Sequence, residues 1–179
     1  MKSFFLSLWD TFKTVIIAVF VVFLIRSYVA QPFLVSGSSM QPTFHDGDYL
    51  LVDELSYRFR NPERGEVIVF KYPGDHRSYY IKRIIGLPGE KVEVKNGRVM
   101  IWNAKGEKVL NESYIADQHF TGSYETTLGD NQYFMMGDNR NYSYDSRMWG
   151  PLLRSDISGL VRFRLWPVNT AEAFSRPQY

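Results

Sequence analysis

Residues 91–102 read KVEVKNGRVMIW and identify a β-hairpin. Apolar residues alternate with polar ones on both sides of Asn96-Gly97. Alternation directs every second side chain to the same face of a strand, and Asn-Gly suits a two-residue turn because both turn positions need a positive φ. The segment therefore predicts two antiparallel strands joined by a tight turn.

Short segments of similar character lie on both sides of this hairpin. They are rich in β-branched and aromatic residues, and turn residues separate them: 49–52, 66–71, 79–85 and 159–166. Such strands at regular spacing are typical of packed antiparallel sheets. We expect a mainly β protein in which residues 90–128 form a small hairpin-built sub-domain between two parts of the main sheet.

The first thirty residues differ from the rest. Residues 15–25 are apolar without a break, and a helix over residues 11–30 would be about 30 Å long, the thickness of a bilayer core. We predict one retained transmembrane helix that ends before Pro32. A cleaved signal peptide is an alternative, but cleavage after Ala30 would place bulky Tyr28 where a small residue is needed. A buried soluble helix would need a partner that covers its apolar surface on all sides.

The charges beside this span predict its orientation. Lys2 and Lys13 precede the apolar run, whereas Arg26 alone follows it closely. Positive residues are enriched on the cytoplasmic side of membrane proteins. We expect a single-pass protein of the plasma membrane, with a cytoplasmic N-terminus and anchor in residues 1–30 and an extracytoplasmic β domain in residues 31–179.

Composition excludes several classes of function. The net charge is +2 with a pI near 8.7, and lysines and arginines are dispersed among acidic residues, so nucleic acid is not an expected partner. The chain has no cysteine, which excludes disulfides, thiolate metal sites and cysteine nucleophiles. The aromatic content of 16% suits either an aromatic-rich β core or a surface at a membrane interface.

Residues 36–43, SGSSMQPT, form a turn of small residues between two apolar runs. A serine on such a turn can face a substrate while neighbouring backbone N–H groups point at a developing oxyanion. An ordinary loop rich in serine and threonine is the alternative. The turn is therefore a candidate site for a serine nucleophile.

Lys82 is the candidate base. It lies in the predicted strand 79–85 and shares a face with Tyr80 and Ile84. In a central strand, apolar neighbours would lower the pKa of the amine, and a base working at pH 7–8 needs a drop of roughly 2–3 units. The neutral amine could then accept a proton from a serine hydroxyl. An edge-strand lysine with its amine in water is the alternative.

The histidines are rival candidates for a base or a metal site. His45, His76 and His119 each lie in a turn-like context, and none has the spacing of a metal-binding motif such as HExxH. A Ser–His–Asp triad remains formally open, but solvated loop histidines fit the sequence better. We expect no metal and no cofactor.

Four segments resemble, in order, the successive motifs of bacterial type I signal peptidases. They are SMQPT at 39–43, RGEVIVF at 64–70, YIKRIIGLPGE at 80–90 and GDNRNYSYDSRMWG at 137–150. The resemblance extends from about residue 31 to residue 167, and the N-terminal span is similar to that family's anchor. The short chain with one anchor is similar to the Gram-positive form of the family.

The resemblance implies a role for five residues. Ser39 would be the nucleophile and Lys82 the general base of a Ser–Lys dyad. Ser143 would hydrogen-bond the Lys82 amine and orient it. Asp145 and Arg147 would form an ion pair that supports the active-site loop without taking part in the chemistry.

The resemblance also implies an oxyanion hole and substrate pockets. The backbone N–H of Ser39 would line the oxyanion hole, and Gly37 occupies a position where some relatives carry a serine hydroxyl, so the second donor stays open. Phe33 and Val35 alternate along one strand face that leads to Ser39, as a groove for an added strand would need, although ordinary core packing is the alternative. The predicted substrate-binding set is Phe33, Val35, Gly37, Met40, Val69, Tyr80 and Ile81.

The expected function is that of a membrane-bound serine endopeptidase. It would remove signal peptides from exported preproteins after a small residue, with small residues at positions −1 and −3, and the lipid bilayer would be its second partner. A non-catalytic, membrane-anchored scaffold or assembly factor is the alternative, which the presence of both Ser39 and Lys82 disfavours. A soluble self-cleaving repressor-type protease would carry a DNA-binding domain where this chain has an apolar span.

Overall fold

The computed structural model describes residues 2–28, 30–115, 122–177 and 179. Its first element is the helix α1 (Lys2–Tyr28), whose 27 residues correspond to about 40 Å. Among the helices described, none combines the length and the hydropathy that a membrane crossing requires. His119 lies outside the described residues.

Antiparallel strands dominate the remainder, which confirms the predicted mainly β class. The larger sheet has eight strands: β1 (Ala30–Leu34), β2 (Tyr49–Asp53), β3 (Val67–Tyr72), β4 (Asp75–Gly86), β9 (Gln132–Met136), β10 (Leu152–Leu153), β11 (Ile157–Trp166) and β12 (Glu172–Ala173). Neighbouring strands follow the order β1-β2-β11-β3-β4-β9-β10, and β12 lies beside β11. The short helix α2 (Ser146–Trp149) lies between β9 and β10 in the chain.

A smaller sheet lies within residues 91–127 and has four strands: β5 (Lys91–Lys95), β6 (Arg98–Asn103), β7 (Gly106–Val109) and β8 (Ser123–Thr127). Their order in the sheet is β7-β6-β5-β8. Asn96 and Gly97 have φ angles of 50° and 76°, and Lys95 pairs with Arg98 across the turn, so the predicted hairpin is formed. Val92 and Val94 face inward from β5 because alternate side chains share a face.

Several strands were not expected from sequence. The clearest is β9, which reads QYFMM and is buried at Tyr133, Phe134, Met135 and Met136. A strand buried on both faces lacks the alternation that marks a half-buried strand, so its apolar run has no diagnostic period. β7, β8, β10 and β12 are short, and β7 is exposed along its whole length.

Three clusters of buried side chains hold the sheets together. The cluster that matters most for the site combines residues from the loop after β1 with residues from three strands: Val35, Met40, Phe44, Leu50, Val52, Val67, Val69 and Val161. Each fully buried aliphatic side chain of this kind stabilises the fold by roughly 1.5–3 kcal/mol. The loop that contains Ser39 is therefore attached to the core on its inner side.

Candidate active site

Ser39 lies on the loop 35–48 between β1 and β2. The loop is closed at its base, where the Val35 N–H donates to the Asp48 carbonyl at 2.9 Å and the Gly47 N–H donates to the Val35 carbonyl at 3.0 Å. Met40 and Phe44 are 1% and 0% exposed. Because these side chains point into the core, the turn presents Ser39 on its outer side.

Lys82 reaches Ser39 from the middle of the main sheet. Its strand β4 lies between β3 and β9, and Lys82 pairs with Ile68 of β3. The Lys82 amine donates to Ser39 Oγ at 2.8 Å and to the Ile81 carbonyl at 2.9 Å. The structure thus brings together the two residues predicted to form the dyad.

Burial changes the protonation of this lysine. Lys82 is 4% exposed, and loss of hydration lowers its pKa from 10.5 to about 8, although the charges of Asp145 and Asp138 act in the opposite direction. Both carboxylates are themselves paired with arginines, as described below, which limits their pull on the amine. A substantial fraction of Lys82 is therefore neutral at mildly alkaline pH.

Ser143 requires a correction. Its Oγ is buried and makes no hydrogen bond with any described residue, so the predicted hydrogen bond to the Lys82 amine is not formed here. The Ser143 side chain instead packs over Gly137, where an added Cβ would collide with Ser143 Oγ and with the Ser39 carbonyl oxygen. Ser143 is thus close to the nucleophile loop, while the Lys82 amine is occupied by Ser39 and by the Ile81 carbonyl.

The predicted ion pair of Asp145 and Arg147 is present. Arg147 Nε and Nη2 each lie 2.7 Å from an oxygen of Asp145, whose side chain is fully buried. Asp145 also accepts from the Gly137 N–H at 3.0 Å, and Arg147 Nη2 donates to the Arg140 carbonyl at 2.8 Å. These bonds tie both ends of the segment 137–147 together.

A second buried pair, Arg83 with Asp138, was not predicted. Arg83 Nε and Nη2 donate to Asp138 at 2.8 and 2.6 Å, and Thr43 Oγ1 donates to the same carboxylate at 2.5 Å. Arg83 Nη1 also donates to the Gly65 carbonyl at 2.8 Å. The pair joins β4 to the segment after β9, next to Lys82 in the chain, and Thr43 attaches the nucleophile loop to the same carboxylate. The sequence offered only an indirect signal for this pair: Arg83 and Asp138 lie in two of the four family motifs, 80–90 and 137–150.

A groove of about 470 Å³ opens in front of the dyad. Of the predicted substrate-binding residues, six line it: Phe33, Val35, Gly37, Val69, Tyr80 and Ile81. Met40 does not, because its side chain points away from the groove into the core, and its assignment to substrate binding is corrected accordingly. Tyr79, Tyr142 and Tyr144 also line the groove and were missed.

The backbone N–H groups of Gly37 and Ser39 differ in whether they already have a hydrogen-bond acceptor. Gly37 has a φ of 92°, which favours glycine, and its N–H donates to Asp46 Oδ1 at 2.7 Å. The N–H of Ser39 has no acceptor among the described residues. Of these two N–H groups, that of Ser39 is the one left without an acceptor in the described part of the chain.

The described histidines lie away from this chemistry. His45 is exposed, and its backbone N–H donates to Asp48 at 3.0 Å. His76 is exposed, and its Nδ1 lies 3.5 Å from Asp156. Neither imidazole contacts Ser39, which favours the solvated-loop interpretation for these two.

Comparison with known proteins identifies the family. Residues 8–166 match the family model described as signal peptidase, peptidase S26. The chain belongs to this family. The family resemblance seen in its four motifs is thereby confirmed.

Individual signal peptidases are similar over most of the chain. Probable signal peptidase I-2 of Synechocystis sp. is 41% identical over 162 residues, which cover 87% of this chain and 72% of that protein. Signal peptidase I of Leptolyngbya laminosa is 38% identical over 171 residues, with 90% and 81% covered. Signal peptidase I of Bacillus amyloliquefaciens is 37% identical over 173 residues, with 90% and 86% covered. A crystal structure of a signal peptidase I from Enterococcus faecalis V583 is 30% identical with a TM-score of 0.49, and the match covers 56% of this chain and 97% of that chain.

Proposed function

We propose that this chain is a serine endopeptidase that removes signal peptides from exported preproteins. Membership of the S26 family and identities of 37–41% to named signal peptidases support the substrate class. The observation that carries the chemistry is the 2.8 Å contact between the Lys82 amine and Ser39 Oγ at the end of an open groove. The same contact favours catalysis over a scaffold function.

The reaction starts with Ser39 Oγ attacking the carbonyl carbon of the scissile bond. Neutral Lys82 accepts the hydroxyl proton as the bond from Oγ to carbon forms, and then protonates the leaving amine as the carbon–nitrogen bond breaks. Water then attacks the acyl-enzyme, Lys82 takes a proton from that water, and Ser39 recovers its proton on release. The Ser39 N–H is the donor suited to the oxyanion.

Open strand edges support recognition of an extended substrate. β1 is the last strand on its side of the main sheet, so one of its edges is unpaired among the described strands. Residues 79–82 of β4 pair with β3, whereas the β9 pairing starts only at Arg83. A substrate strand lying between these two edges would gain backbone hydrogen bonds. Val35, Val69 and Ile81 would then form shallow apolar pockets that admit small side chains at −1 and −3.

We propose that residues 11–30 anchor the chain in the plasma membrane, with residues 31–179 outside the cytoplasm. Along the helix, Phe12, Ile16, Ile17, Val19 and Phe20 are 52–64% exposed. An exposed apolar surface of this kind is stabilised by lipid. Anchoring would hold the enzyme in the same plane as a membrane-inserted signal peptide and raise its effective concentration.

The decisive experiment is cleavage of a model preprotein in detergent. Wild type should cut after a small residue, whereas Ser39→Ala and Lys82→Ala should each lose activity. Lys71→Ala, an exposed lysine on the neighbouring strand β3, is the matched control and should retain it. Activity that survives Lys82→Ala would contradict the assignment of the base. An inactive wild type would favour the scaffold alternative.

Orientation can be tested separately because the chain has no cysteine. Single cysteines at Asp10 and at Lys105, both exposed, would be treated in intact cells with a membrane-impermeant maleimide. Lys105→Cys should be labelled, and Asp10→Cys should react only after the cells are opened. The reverse pattern would overturn the proposed topology.

A further inference from the structure

A second depression, of about 290 Å³, lies beside the groove. Its wall is formed by two short segments that contain Gln41, Pro42, Asn139, Asn141 and Tyr142. Tyr142 lines both the depression and the groove. The groove is lined by the residues that lead up to Ser39, and the depression by residues that follow it in the loop. The nucleophile therefore lies at the border between the two cavities.

The wall of the depression is bonded directly to the nucleophile turn. The Asn139 N–H donates to the Ser39 carbonyl at 3.1 Å, and Asn139 Nδ2 donates to the Ser38 carbonyl at 3.1 Å. The Tyr142 N–H donates in turn to the Asn139 carbonyl at 3.1 Å. These bonds attach the wall to the turn that carries the reacting hydroxyl, as a subsite next to the scissile bond requires.

The charged residues of the depression are neutralised. Asp138 is paired with Arg83, and Arg140 donates to both oxygens of Glu112 at 2.8 and 2.5 Å. All four side chains are buried. Among the described residues, the wall thus offers side-chain amides and a phenol ring to a ligand, without an unpaired charge.

We propose that this depression binds the first residues after the scissile bond, the new N-terminus of the mature protein. The inference rests on the proposed peptidase function, in which the residues before the bond occupy the groove. The leaving segment must then pass Ser39 on the other side, where Tyr142 would contact the first residue and Gln41 would hydrogen-bond the backbone.

The chemistry of the wall also defines the class of segment that it accepts. Neutral amides bind peptide groups and uncharged polar side chains, and they do not discriminate by charge as an unpaired arginine or carboxylate would. The subsite should therefore tolerate mature sequences of different charge while it still requires an extended peptide.

Two substrates that differ only after the scissile bond provide the test. One is a peptide with at least four residues on the leaving side, and the other is an ester of the same acyl segment with a small alcohol as leaving group. Gln41→Ala, which alters the depression and not the groove, should lower kcat/KM for the peptide roughly three- to tenfold, the usual effect of one lost contact, and leave ester hydrolysis within about twofold. Tyr142→Ala alters both cavities and should lower kcat/KM more for the peptide than for the ester. Tyr49→Ala, an exposed tyrosine that lines neither cavity, is the matched control and should change neither rate.

Trapping of the acyl-enzyme gives a second measurement. A dipeptide amide added during ester hydrolysis competes with water for the acyl group, and the yield of the new peptide reports binding in the depression. Gln41→Ala should reduce this yield roughly three- to tenfold at the same rate of ester consumption.

Three outcomes separate the hypotheses. Equal losses on peptide and ester in Gln41→Ala would assign its effect to the catalytic centre and overturn the inference. Unchanged kinetics and unchanged trapping in both variants would show that the depression is not used. Failure of wild type to cut either substrate would instead overturn the proposed function itself.

Discussion

The amine of Lys82 lies 2.8 Å from the hydroxyl of Ser39, although 43 residues separate them in the chain. The contact joins a central strand of the main sheet to the loop between β1 and β2. Because Lys82 is buried, the same contact affects both the chemistry and the stability of the protein.

The first prediction concerns the pH dependence of cleavage. The pKa of Lys82 is lowered to about 8 by burial, and only the neutral amine accepts a proton from Ser39. The value of kcat/KM should therefore rise as pH increases and reach half its maximum near pH 8. Initial rates on a model precursor between pH 6 and pH 10 would measure this. A midpoint near 6.5 would indicate a histidine base instead.

The second prediction is that Lys82→Met makes the fold more stable at pH 7. Below pH 8 the lysine is protonated in both the folded and unfolded states, so the cost of burying the charge is fully present. Between pH 8 and 10.5 the folded state loses its proton first, and the free energy of unfolding of wild type increases with pH. The variant should be more stable by about 3 kcal/mol at pH 7, and its advantage should disappear above pH 10.5.

Urea unfolding at pH 7, 9 and 10.5 would test this difference. Lys71→Met, on an exposed residue of β3, serves as the control and should show no such pH dependence. A Lys82→Met variant that is less stable than wild type at pH 7 would contradict burial of the charged amine.

The third prediction concerns the pair Arg83 and Asp138. Asp138→Ala leaves the Arg83 guanidinium buried without its carboxylate, and such losses cost about 3–5 kcal/mol. Chemical denaturation should show a correspondingly lower free energy of unfolding. Glu125→Ala removes the exposed partner of Lys91 and should leave the unfolding midpoint almost unchanged. Comparable losses in the two variants would argue against a special role for the buried pair.

The fourth prediction separates stability from activity at Ser143. Its buried Oγ has no hydrogen-bond partner among the described residues, so Ser143→Ala should keep or raise the free energy of unfolding, by up to about 1 kcal/mol. If Ser143 turns toward Lys82 during the reaction, kcat should still fall by about tenfold or more. Unfolding and turnover measured on the same preparation would show both effects. Lower stability with unchanged kcat would mean that Ser143 is only structural.

Much of this arrangement was predictable because the relevant signals are local. The hairpin at residues 91–102 follows from alternation and from Asn96-Gly97, and both turn residues have the positive φ that the motif requires. Lys82 was a candidate base from its apolar neighbours in a strand, whereas the turn of small residues indicated only a possible serine nucleophile and the family resemblance assigned it to Ser39. The groove positions Phe33 and Val35 were predicted from alternation on one strand face.

Other features depend on contacts between distant segments. Strand β9 was missed because burial on both faces removes its alternation, and Met40 was misplaced because the direction of its side chain depends on how the loop 35–48 packs on the core. Nothing near Arg140 in the chain indicates that its partner is Glu112, 28 residues away. Ion-pair partners of this kind are selected by geometry after the strands have assembled.

Periodicity and turn chemistry thus specify the β class and the hairpin from sequence, because both depend on residues close together in the chain. The sequence also supplies the serine and the lysine of the dyad as residue types. The lowered pKa of Lys82, its contact with Ser39 and the neutral wall beside Tyr142 depend on tertiary structure. Desolvation and distance arise only when β4, the loop 35–48 and the segment 137–147 come together. That assembly converts a lysine of ordinary basicity into a candidate base.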